Sequence, residues 1–182
     1  VDTVAFSADS KLLASGSNDR TVRIYTISTP GAAPSLKYTL DAAMDDISSV
    51  AFSEDSQFLA CGSHDKKVRV YAVEDEAAPS LKYTLDNATD PRFTDSKLLA
   101  VRDVDSFIRF YGLEDGAAPS LKYTLDDATN GVFSVAFSAD SKLLASGSMD
   151  KKVRVYALNV GAAPSLIYTL DDATNRVNSV AF

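Results

Sequence analysis

Tryptophan is absent from the 182 residues, and histidine and cysteine occur once each. A lone Cys61 forms no internal disulfide, which leans towards a reducing setting, cytoplasmic or nuclear. One His and one Cys are too few for a zinc site built from such ligands. No apolar run approaches the roughly 18 residues that a membrane-spanning helix needs. Positive charge is scarce too: 18 Lys and Arg against 25 Asp and Glu leave a formal charge of -7 and a pI near 4.6. Attraction to phosphate backbones or anionic lipid is thereby disfavoured, so neither nucleic acid nor membrane is an expected partner and a basic protein is. There is no Gly-rich phosphate loop and no Ser-His-Asp constellation. The acidic pairs Asp45-Asp46, Asp126-Asp127 and Asp171-Asp172 lack the alternating spacing of a calcium loop, so no cofactor or metal is expected.

The chain does have a rhythm. Asp19-Arg20-Thr21-Val22-Arg23-Ile24-Tyr25 returns at Asp65 to Tyr71, Asp105 to Tyr111 and Asp150 to Tyr156, at intervals of 46, 40 and 45 residues. A recurring period of that length marks an array of supersecondary units. Each unit opens with Val-Ala-Phe-Ser, at residues 4, 50 and 135, which reads as a first strand. An Asp-Ser turn follows, then a second strand such as Lys11 to Ser17, whose Gly16 suggests close backbone approach or a bulge. The repeated Asp sits in a second turn and leads into a third strand bulky on both faces, as a sheet covered on both sides requires. A Pro-containing loop and Leu36 to Leu40 complete the unit. Leu36, Tyr38 and Leu40 are expected on one face and Lys37 outward, as suits an outer edge strand; the fourth copy has Ile167 in place of that Lys.

Four short strands per period, with no helical periodicity, describe one propeller blade. Ser-Val-Ala-Phe-Ser, Leu-Ala-Ser-Gly-Ser and Asp-x-x-Val-Arg-x-Tyr resemble the WD-repeat β-propeller family over essentially all 182 residues. The resemblance implies an all-β chain of antiparallel four-stranded blades: blade 1 about 1–46, blade 2 about 47–90, a shortened blade 3 about 91–130, blade 4 about 131–175, and the first strand of a fifth at 176–182. A larger propeller of which this is a part, or a spare strand exchanged between chains, would account for that last segment. Tyr25, Tyr71, Tyr111 and Tyr156 stand where the family usually has Trp. The Gly-His that would bond the turn Asp is missing, which leaves Asp19, Asp65, Asp105 and Asp150 to Ser and Tyr hydroxyls.

Cys61-Gly62-Ser63-His64 sets a nucleophile near a base. The aligned copies have Ser15 and Ser146 at the Cys place and Asn18 and Met149 at the His place, so both read as ordinary repeat positions. What varies between copies is the residue before the turn Asp: Asn18, His64, Val104 and Met149. In the family that turn and the loop into the next blade share one rim, which implies a partner-binding surface of these residues with Asp45, Asp46, Asp90, Arg102, Asp127 and Asp172. The expected function is a non-catalytic protein-protein interaction scaffold with an acidic rim, self-association through open blade ends being a further expectation. The alternative is part of a larger propeller enzyme or ligand-binding propeller whose site needs further blades.

Overall fold

Sixteen β-strands make up the regular structure of the chain in a computed structural model that describes all residues except 29, 30, 42, 75, 76, 94–97, 104, 105, 114–116, 139 and 160, and the side chains of 89, 90, 93 and 103. There is no helix among the described residues. The strands form four antiparallel sheets of four, each in sequence order. The first holds β1 (Thr3–Phe6), β2 (Leu12–Gly16), β3 (Val22–Thr26) and β4 (Ser35–Leu40); the second holds β5 (Ile47–Phe52), β6 (Phe58–Ser63), β7 (Lys67–Ala72) and β8 (Ser80–Asp86). The third holds β9 (Ala88–Phe93), β10 (Leu98–Asp103), β11 (Ile108–Gly112) and β12 (Ser120–Leu125); the fourth holds β13 (Val132–Phe137), β14 (Leu143–Ser148), β15 (Val153–Ala157) and β16 (Ser165–Leu170). These are blades of the β-propeller type.

Local chemistry closes the hairpins. In the first turn of each regular blade a Ser hydroxyl donates to an Asp two residues on: Ser7 to Asp9 at 2.7 Å, Ser53 to Asp55 at 2.6 Å and Ser138 to Asp140 at 2.7 Å. The same Asp oxygen accepts the N–H of Lys11, Gln57 or Lys142, so the reversal is fixed by side chains. Ser10, Ser56 and Ser141 take the left-handed backbone such a tight turn demands.

Burial joins consecutive blades in pairs. Ala14, Val22 and Ile24 of the first blade pack on Ile47, Val50, Leu59 and Tyr71 of the second. Ala60, Val68 and Val70 then meet Leu99 and Val101, and Ala100, Ile108 and Phe110 meet Val135, Leu144 and Tyr156. Each of the first three sheets thus presents an Ala and two branched or aromatic residues to the next blade, and each of the last three presents a Leu and a Tyr to the previous one. Gly16 sits where a Cβ would run into the Ile47 side chain, which accounts for the glycine in the second strand.

Two details depart from the sequence pattern. Register shifts in every blade between the third and fourth strands: Ile24 faces Tyr38 but Tyr25 faces Leu36, and Lys37 is bulged out. Leu36 is therefore not on the face of Tyr38 and Leu40, and it is 57 % exposed. Lys82 and Ile167 are passed over in the same way. In the third blade, β9 begins at Ala88 and runs through Pro91, so pairing with β10 starts before the Pro-Arg-Phe segment.

Candidate binding rim

The turn between the second and third strands is built around Asp. In the second blade the Asp65 N–H donates to Ser63 Oγ at 3.1 Å, and Asp65 Oδ1 accepts the Lys67 N–H at 3.1 Å. Asp150 repeats both contacts with Ser148 and Lys152. Of the expected hydroxyl partners, Ser148 does act on the Asp150 carboxylate, but the stronger partner is an Arg. Arg69 grips Asp65 through both nitrogens at 3.2 and 2.7 Å, and Arg154 grips Asp150 at the same distances. The reason is reach: the Arg lies four residues on, one pleat into the third strand, on the side to which the turn folds the carboxylate. Its planar fork matches both oxygens. The recurrence of Asp-x-x-x-Arg in all four copies was the available signal.

The same carboxylates tie down the loop arriving from the preceding blade. Asp65 Oδ2 accepts the Met44 N–H at 3.1 Å, and Asp150 Oδ2 accepts the Thr129 N–H at 3.0 Å. Burial penalises the charge on both, but the Arg forks and loop N–H groups outweigh it and hold both carboxyls below the ordinary value. Ser63 Oγ donates to the Asp45 carbonyl and Ser148 Oγ to the Asn130 carbonyl, which fastens each loop at a second point. Turn and incoming loop therefore form one rim.

Along that rim the variable residues bond the backbone of the incoming loop. The His64 N–H donates to the Asp46 carbonyl at 2.9 Å, and the Met149 N–H to the Gly131 carbonyl at 2.8 Å. Between the first two blades Asn18, Asp46 and His64, with Asp2, Ile47 and Ser48, surround a depression of about 390 Å³. Asp45 caps its own loop by accepting the Asp46 N–H at 2.9 Å, and Met149 lies 40 % exposed. Asp127 is exposed, and its carboxylate accepts from the buried Tyr156 hydroxyl, to which Ser146 donates. Asp172 is exposed. Val104 and Asp105, and the side chain of Asp90, lie outside the described residues.

Arg102 is in β10, the second strand of its blade. It occupies the place of Gly16 and Gly147, and its Nη1 donates to the Val132 carbonyl across the third and fourth blades at 3.0 Å. Cys61 is buried, and burial pushes its thiol up to about 12, which removes the thiolate that covalent chemistry needs. Among the described residues, no three His, Cys, Asp or Glu side chains converge as a metal site.

The fold and rim define a blade array that offers loop residues on rigid strands. The family model for WD domain, G-beta repeat matches residues 1–26, 34–72 and 119–157, more than half of the chain, and the chain belongs to that family. The stretch between the last two matches holds β9, β10 and β11 of the third blade, with Arg102. No curated protein matches this chain. WD repeats are generally protein-interaction scaffolds and typically non-catalytic.

Proposed function

We propose that the acidic rim docks a protein partner through a basic or amphipathic segment and that the chain works as a non-catalytic scaffold. The observation that carries this reading is the depression where Asn18, Asp46 and His64, each from a different turn or loop, come together. Variable side chains on a fixed frame are how interaction surfaces are commonly made. A larger hollow of about 450 Å³ opens at the opposite rim, lined in part by Asp9 and Asp55. Those carboxylates are already engaged by their own turns, and the same turn chemistry recurs in the fourth blade, so that rim offers less to distinguish one partner from another.

The test is titration of the protein with an Arg- and Lys-rich peptide, read by fluorescence anisotropy at low and high salt. Wild type binds, affinity falls with salt because exposed charges are screened beyond about 8 Å at physiological ionic strength, and Asp46→Lys weakens binding by at least about tenfold, or 1.4 kcal/mol. Binding unchanged by both salt and Asp46→Lys removes the reading.

A further inference from the structure

The hollow at the opposite rim, about 450 Å³, has the size of a ligand pocket, roughly 300–1,000 Å³. It lies in the wedge between residues 9–12 of the first blade and residues 55–82 of the second. Backbone bonds fix its frame. The Asp9 N–H donates to Ser56 Oγ across the wedge at 3.3 Å, the Leu12 N–H to Ser7 Oγ at 2.9 Å and the Val73 N–H to the Gln57 carbonyl at 2.8 Å. Leu12, Phe58 and Val73, each half-buried, give the hollow an apolar lining.

The second blade departs from the repeat at this place. The other three copies enter the second strand with Lys-Leu, at Lys11-Leu12, Lys97-Leu98 and Lys142-Leu143, whereas the second copy reads Gln57-Phe58. Three residues past the Tyr of the third strand the first and fourth copies have Ser28 and Asn159, and the second has Glu74. All three of these exchanged residues line the hollow. Phe in place of Leu adds apolar surface, and Gln in place of Lys trades an ammonium for an amide that both donates and accepts. Asp9 and Asp55 each accept a backbone N–H of their own turn, from Lys11 and Gln57. The side chains of Gln57, Glu74 and Lys82, by contrast, make no hydrogen bond or ion pair among the described residues. Glu74 and Lys82 thus stand at one hollow with opposite charge and do not close on each other.

We propose that this hollow binds an extended peptide segment of a partner protein, with an apolar side chain on Leu12, Phe58 and Val73, an acidic residue beside it at Lys82 and a basic one at Glu74. The Gln57 amide then bonds an N–H or C=O of the peptide backbone. Three carboxylates, Asp9, Asp55 and Glu74, and two ammonium groups, Lys11 and Lys82, surround one apolar lining. A segment charged with one sign throughout meets repulsion from one of the two sets, so the mixed segment is the one that fits. The site is separate from the acidic rim and does not depend on the reading given for that rim.

Capped pentapeptides with Glu, Leu and Lys in adjacent positions, made in both orders, test it by NMR titration of the 182-residue protein. At least one order shifts the signals of the Gln57 side-chain amide and the Val73 N–H saturably, with a Kd of about 1 mM or tighter. Gln57→Lys with Phe58→Leu restores the residues that the other copies carry at this place, so the chain folds while binding falls by at least about tenfold. Lys82→Ile, the residue that the fourth copy has as Ile167, weakens binding of the peptide with Glu and not of one with Gln in that position. Asp46→Lys, on the other rim, leaves binding unchanged. No saturable shift with either order, equal binding by the double variant, a Lys82→Ile loss that is the same for both peptides, or a loss on Asp46→Lys would each overturn the proposal.

Discussion

Asp19 in the first blade and Asp150 in the fourth have nearly the same neighbours in sequence and different surroundings in space. Arg23 meets Asp19 through one nitrogen at 2.7 Å, with side chains 32 % and 46 % exposed, whereas Arg154 meets Asp150 through two, with both side chains 5 % exposed. Asp150 also accepts the Thr129 N–H of the incoming loop, and that loop shuts out water. Local sequence makes the ion pair; the neighbouring blade decides whether it is a surface pair or a core element.

The strongest way to break the comparison is to remove one cation from each. Arg154→Ala strands a buried carboxylate and costs about 3–5 kcal/mol, while Arg23→Ala, at a screened surface pair, costs about 0–1 kcal/mol; urea midpoints of the two variants measure the gap. Acid sharpens it next. Asp65 and Asp150 have lowered carboxyls in the folded chain, so the unfolded chain binds more protons as pH falls past the unfolded value of about 3.9, and stability is full above that and lost below. Asp150→Asn therefore flattens the loss of stability from about pH 4 downwards, as read by thermal melts at successive pH values.

The Tyr pair extends the contrast to the second and fourth blades. The Tyr156 hydroxyl is shared between Asp127 and Ser146, but the buried Tyr71 hydroxyl has no hydrogen-bond partner among the described residues. The repeat puts Cys61 where the fourth copy has Ser146. Burial pushes the Tyr71 hydroxyl up to about 12. Cys61→Ser restores a partner, so it is about 1 kcal/mol more stable than Cys61→Ala by urea denaturation, and the native thiol resists Ellman's reagent until the protein unfolds. The smallest effect is one that ignores the difference between blades. Arg20 and Lys151 have φ of 67° and 69°, and glycine at either position raises stability by the same few tenths to about 1 kcal/mol. Unequal gains would mean that the neighbouring blade strains one of the two turns.

Strands and turns were readable because their determinants are local. Ser and Asp two residues apart close a reversal wherever they stand, and Val-Arg-Ile-Tyr alternates faces by pleat alone. The glycine of the second strand was readable as a close approach, although the approaching group, Ile47, lies a whole blade away. The Arg fork on the turn Asp was missed because Arg23 and its counterparts read as one half of a bulky face, and the value of the pair depends on a loop more than twenty residues upstream. Leu36 was misplaced for a similar reason: a bulge at Lys37 resets the alternation, and no residue type there announces it. Of the rim, the meeting of Asn18, Asp46 and His64 followed from the turn and loop order. The bond of Asp127 to Tyr156 did not, since it rests on Tyr156 and Ser146 being present together.

The Ala, branched and Leu faces that recur from blade to blade make the joints between blades similar to one another. Inserting or deleting a complete unit adds or subtracts one joint and leaves the others as they were. A gain or loss of a few residues inside a blade has no such immunity, because it breaks the match with both neighbours; in the third copy the link from β8 to β9 is reduced to Asn87, and Arg102 reaches across the junction to the fourth blade. Lineages of such chains are therefore free to change their size in steps of one whole blade.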